Sequence, residues 1–140
     1  MESVEVLKNT STPGDVVPPK ASLPFTSHCV HLEAGPSQFT VRALKMQGST
    51  MLFVNAKESE VFEELAVAMP SRNPASSESI SSTILGGHGQ TDSSVLAAKL
   101  SKRYHRQFYV SLNLKLDRLA GPLFEKSLVT YMQEHLEHFA

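Results

Sequence analysis

The sequence predicts an α+β domain: an antiparallel sheet of about six strands with two α-helices packed on one face. Three observations carry this. Phe108, Val110, Leu112 and Leu114 alternate with Tyr109, Ser111, Asn113 and Lys115, the period of a half-buried strand. Just before it, Leu96, Leu100 and Tyr104 recur every fourth residue, the apolar stripe of an amphipathic helix. Met51–Val54 and Leu65–Met69 are continuously apolar, as strands covered on both faces are.

The elements follow in order. Residues 1–24 predict a disordered tail, with Pro13, Pro18, Pro19 and Pro24 among Ser, Thr and Gly and too little apolar surface to offset the entropy of ordering. A single domain then spans 25–140. Phe25–Leu32 is a first strand closed by the turn Glu33–Ser37. Gln38–Met46 carries Phe39, Val41 and Ala43 on one side and Thr40, Arg42 and Leu44 on the other. Gln47-Gly48-Ser49 turns the chain into Thr50–Asn55. Lys57–Glu64 is acidic and suits one helical turn. Leu65–Met69 is a fourth strand, and the more polar Ser79–Leu85 a fifth, nearer an edge.

The first helix starts at Thr91-Asp92, with Asp92 as N-cap accepting from free N–H groups of the first turn. Lys99, Lys102, Arg103 and Arg106 crowd its end, where cations suit the negative pole of the helix dipole. Phe108–Leu114 is the sixth strand. Pro122 fits the first position of a last helix, which directs Phe124, Leu128, Tyr131, Met132, Leu136 and Phe139 inward. Glu125, Lys126, Gln133, Glu134 and Glu137 face water. The strands read as a meander, with helices after the fifth and sixth.

Composition bounds the function. At 140 residues the chain suits one domain with a modest core, and 41% hydrophobic against 19% charged residues is an ordinary globular balance. A net charge of −1 provides no steering field toward nucleic acid or an anionic membrane. The single cysteine, Cys29, excludes an internal disulfide. The first twenty residues lack the apolar run of a signal peptide, and no stretch nears the roughly 18 apolar residues of a membrane span. The sequon Asn9-Thr10-Ser11 would go unused outside the secretory route. Cytoplasm or nucleus is the expected compartment.

Chemistry finds no foothold. Cys29 and His31 share a strand face and make half a zinc site, but no second pair joins them; His135 and His138, three apart, miss the i, i+4 spacing of helical zinc ligands. The expectation is no metal and no cofactor. Cys29 has no flanking cation or helix N-terminus to lower its pKa, and the serines lack a G-x-S-x-G elbow, so no enzyme is expected. Gly86-Gly87-His88-Gly89 lacks the Lys-Ser/Thr of a phosphate loop and reads as a connector. The run Lys99–Arg106 is a solvated helix face or a grip for an acidic protein surface; missing stacking aromatics disfavour nucleic acid.

Sheet width gives a further expectation. Six strands at ~4.8 Å span roughly 29 Å, and two helices of ~10 Å cover about two-thirds of one face. Nothing remains for the other face, so a second chain should cover it.

From about Gln38 onward the chain resembles the proteasome assembly chaperone 4 family. The resemblance lies in the succession of Leu65–Met69 with Ser71-Arg72, Ser82-Thr83-Ile84-Leu85-Gly86, Thr91–Ser94, the basic-ended helix Val95–Arg106 and the strand Phe108–Leu114. Pro70 and the glycines at 86–89 depart from it. The resemblance implies a non-catalytic chaperone that pairs with a proteasome assembly chaperone 3-like subunit. The heterodimer would hold an α subunit of the 20S core particle, of the α5 type, during α-ring assembly. The expected dimer interface is Phe39, Val41, Phe53, Tyr109 and Asn113. Ser71, Arg72, Lys99, Lys102, Arg103 and Arg106 are the expected α-subunit contacts. The alternative is a homodimeric scaffold module of a trafficking or signalling complex.

Overall fold

The computed structural model describes residues 25–73, 78–87 and 89–140; the tail expected over 1–24, and His88, lie outside them. Two tight hairpins start the chain. β1 (Phe25–Ala34) returns as β2 (Ser37–Met46), and β2 returns as β3 (Ser49–Ala56). Gly35 and Gly48 supply the positive φ, +63° and +84°, that two-residue hairpin loops need. β4 (Leu65–Pro70) pairs antiparallel with β5 (Ser79–Leu85), after which come α1 (Asp92–Tyr104), β6 (Gln107–Leu112) and α2 (Ala120–Glu134).

All six strands form one sheet in the order β1-β2-β3-β6-β4-β5. The sheet is mostly antiparallel, but β6 runs parallel to β3, so the expected meander is corrected to a mixed sheet. Chain direction explains this. β5 and β6 are each antiparallel to β4, so they run the same way, and α1 is the crossover joining them. The central slot suits β6, whose Phe108 and Val110 are fully buried between the apolar strands β3 and β4.

Both helices cover the same face. Phe39, Val41 and Ala43 of β2, Leu52 and Val54 of β3, Ala68 of β4 and Phe108, Val110 and Leu112 of β6 meet Leu96, Ala97 and Leu100 of α1 and Phe124, Leu128 and Met132 of α2. Phe39 and Phe124 pack edge to face with centroids 4.8 Å apart. Each fully buried side chain of this size contributes about 2 kcal/mol.

Local chemistry sets the boundaries. The N-cap of α1 is Thr91 rather than Asp92: the Ser94 N–H donates to Thr91 Oγ1 at 3.2 Å and the Thr91 N–H to Ser94 Oγ at 2.9 Å, a reciprocal capping box. Asp92 occupies the first turn, where its charge still suits the dipole. Residues 57–64 form no helical turn. Asn55 Oδ1 accepts from the Val61 N–H at 2.8 Å, and Asn113 Oδ1 from the N–H groups of Glu63 and Glu64 at 3.0 and 3.3 Å, which uses these amides across the fold. Gly86 (φ +101°) lies against the same segment, where a Cβ would stand 2.8 Å from Glu64 Cγ and 3.0 Å from the Glu63 carbonyl oxygen. α2 stops at Glu134, and a 3-10 turn (Leu136–His138) brings Phe139 into the core. Leu136, expected inside, is therefore exposed.

Candidate functional site

Pairing fixes which side chains share the uncovered face. Leu44 lies opposite Met51, Met51 beside Tyr109, Tyr109 opposite Val67, and Val67 opposite Ser82. Directly paired residues point the same way, so these five form a row straight across the open face. A second row runs Cys29, Arg42, Phe53, Ser111, and its Ser111 end is buried, so the face is covered there. Met69 stands opposite Ile80, and Ile80 and Ile84 project from β5 with 61% and 55% of their surfaces exposed. Isolated exposed apolar residues are ordinary; a continuous strip of Leu, Met, Phe, Tyr, Val and Ile is the mark of a protein interface.

Polar groups frame this strip. Arg42 Nε and Nη2 both donate to Glu60 Oε1, at 3.0 and 2.6 Å, and this bond holds the guanidinium pKa above its usual value. Phe62 packs edge to face on Phe53 at 5.9 Å, extending the apolar surface from the strand onto residues 57–64. His31 and Thr40 share a hydrogen bond of 2.9 Å at the far end. The Tyr109 hydroxyl accepts from Gln107 Nε2 at 2.8 Å, which fixes the ring in the middle of the strip.

The expected interface residues separate. Phe53 and Tyr109 stand on the open face. Phe39 and Val41 are corrected: they are 1% and 0% exposed and belong to the core beneath the helices, because Val41 pairs with Val54 and not with Phe53. Asn113 is half-buried, and its amide spans Ser111 and the backbone of Glu63 and Glu64. Sequence reasoning missed Leu44, Met51, Val67, Met69, Ile80 and Ile84. The signal for Leu44, Met51, Val67 and Met69 was strand phase, since each alternates with core residues of its own strand.

The expected α-subunit contacts also divide. Arg106 is spent inside the fold, where its guanidinium donates to the carbonyls of Met46 and Ser49 and, at 2.8 Å, to Thr50 Oγ1. Burial lowers its pKa, and it pins the β2–β3 turn. Lys99 bridges to Glu125 of α2 at 2.8 Å, while Lys102 and Arg103 are exposed on α1. Ser71 and Arg72 follow β4, with the Ser71 N–H donating to the Glu78 carbonyl at 3.1 Å. Ser71 and Arg72 thus adjoin the Met69–Ile80 end of the strip, whereas Lys99, Lys102 and Arg103 stand on α1.

The histidines pack against one another. His28 of β1 is hydrogen-bonded to the Tyr131 hydroxyl at 2.7 Å and stacks on His138 at 3.8 Å; Tyr131 stacks on His135 at 4.1 Å. Burial first, then the neighbouring His138 and His135, lower the His28 pKa. Among the described residues no three His, Cys, Asp or Glu side chains gather as metal ligands, and no helix is long and apolar enough to cross a membrane.

A two-layer sheet-and-helix domain with one apolar sheet face uncovered is a protein-binding module. The model of the proteasome assembly chaperone 4 family matches residues 38–114, and the chain belongs to that family. Membership makes it a proteasome assembly chaperone and implies a non-catalytic role. Its fold is similar to that of a chain in the crystal structure of a chaperone complex for yeast 20S proteasome assembly. The TM-score is 0.55 at 15% identity, with 82% of this chain and 94% of that chain covered. No curated protein matches the chain.

Proposed function

We propose that this chaperone works as half of a heterodimer, seating a proteasome assembly chaperone 3-like subunit on its open sheet face. The pair binds a 20S α subunit, of the α5 type, and promotes formation of the α ring in the cytoplasm or nucleus. The observation that carries the reading is the uncovered row Leu44, Met51, Tyr109, Val67. Six strands of six to ten residues make a face of roughly 29 by 20 to 33 Å, which brackets the ~800 Å² per partner of a standard interface. Its apolar centre and polar rim have the anatomy of such interfaces.

The α-subunit contact falls to Lys99, Lys102 and Arg103 on α1, with Ser71 and Arg72 as a second group. The mechanism is binding alone. A composite surface would hold an incomplete ring and exclude wrong neighbours, so discrimination matters more than lifetime. Affinity capture from native extract with mass spectrometry of the eluate tests this. A small partner of like fold together with free α subunits, without a mature β ring, supports the reading. Recovery of the chain alone, or of trafficking components, favours the homodimeric scaffold instead.

A further inference from the structure

At the β1 corner of the open face the surface steps down. Leu44 stands opposite Ser27 and Arg42 opposite Cys29, with Phe53 beside Arg42 on β3. Two large apolar side chains and a guanidinium thus wall a floor of two small residues. The residues between turn to the helix side: His28 is bonded to Tyr131 of α2, and Ala43 joins the core. A socket of about 350 Å³ results. Its lining belongs to the surface, since Ser27, Cys29 and Arg42 are exposed and Leu44 and Phe53 half-buried. Both walls are braced from one segment. Glu60 accepts from Arg42 Nε and Nη2 through a single carboxylate oxygen, which restrains the guanidinium, and Phe62, two residues on, packs against Phe53 at 5.9 Å.

We propose that this socket receives an aromatic side chain of the partner subunit, its ring between Leu44 and Phe53 and against the guanidinium of Arg42. The identity of the partner rests on the chaperone reading above; the class of side chain rests on the socket. An aliphatic anchor would use the apolar walls alone. A ring also gains from the Phe53 ring and from the cation, and each of these contacts adds to simple area burial. Charged guests fit poorly: Arg42 repels an ammonium, and Glu60 already supplies the counter-charge that a carboxylate would offer. Interface hot spots have this form, a large rigid anchor in a preformed depression, and bracing the walls in advance lowers the ordering cost of binding. Cys29, the single cysteine, lies on the floor and reports on occupancy.

The test is an amide-resolved NMR titration of the full chain with N-acetyl-tryptophanamide, with N-acetyl-leucinamide as the aliphatic comparison. Saturable shifts are expected at residues 27–29, 42–44 and 53, and the tryptophan probe should bind about threefold or more tighter than the leucine one. Arg42→Gln, which removes the cation and keeps a polar side chain, should cost the tryptophan probe about two- to fivefold and the leucine probe nothing. Cys29→Phe puts a ring on the floor at an exposed strand position that favours aromatics, and it should abolish the shifts while circular dichroism stays unchanged. In the unaltered chain, alkylation of Cys29 by N-ethylmaleimide should slow as the tryptophan probe saturates. Equal affinity for the two probes, an unchanged titration in Cys29→Phe, or shifts centred on Tyr109 or Ile80 overturns the proposal. The chaperone reading is tested separately: an extract capture without a partner of like fold sinks that reading and leaves the titration standing. A failed titration beside a successful capture removes the socket alone.

Discussion

Met51 and Tyr109 stand side by side on the open face, in the one parallel pairing of the sheet. That pairing puts an aromatic ring at the middle of an apolar row. Tyr109→Glu should therefore place a charge where a partner would bury it, weakening dimerisation by at least about 2 kcal/mol, roughly thirtyfold in Kd. Sedimentation should show loss of the dimer while circular dichroism stays that of the folded chain. An unchanged dimer mass would count against this surface.

Asn113 contributes to stability instead. Asn113→Ala frees two backbone N–H groups of residues 63 and 64, and at about 1 kcal/mol per net hydrogen bond it should cost about 1–2 kcal/mol in urea unfolding. Dimer affinity should change little, in contrast to Tyr109.

Arg106→Lys tests the pin on the β2–β3 turn. The guanidinium serves two carbonyls and one hydroxyl at once, a geometry an ammonium does not reproduce. A loss of about 2 kcal/mol of stability is expected even though the charge is kept. No loss would return Arg106 to the candidates for partner contact.

The histidine stack sets a pH dependence. His28 has a lowered pKa in the folded chain, so the unfolded chain takes up its proton first as pH falls. The stabilising effect is complete above the unfolded value, near 6.5, and declines as pH drops through it toward the lower folded value. Thermal unfolding should show Tm falling between pH 7 and 5.5, with a shallower slope in His28→Gln. Equal slopes would remove His28 as the cause.

Much of the fold was legible because its signals are local. The alternation of Phe108–Leu114 and the stripe Leu96, Leu100, Tyr104 each arise from one element burying one face. Strand order was not legible, since the insertion of β6 between β3 and β4 depends on where a crossover helix lands. The helical turn expected over Lys57–Glu64 failed for a related reason: Asn113, some fifty residues away, takes the amides of Glu63 and Glu64, and Asn55 takes that of Val61. Half the site was misread through phase. β3 is apolar on both faces, so Phe53 and Val54 look alike in sequence, and only the register separates the core set with Val41 from the open set with Arg42. Arg106 belonged by sequence to a basic run, but its role inside the fold depended on a turn some sixty residues away.

The central claim, that the open sheet face seats the partner, is best tested by hydroxyl-radical footprinting of the assembled complex against the Tyr109→Glu variant. Met51, Phe53 and Met69 should lose reactivity in the complex, while Leu119 and Leu123 near the start of α2 stay unchanged. Equal reactivity at Met51, Phe53 and Met69, with protection appearing on the helices instead, would contradict the account.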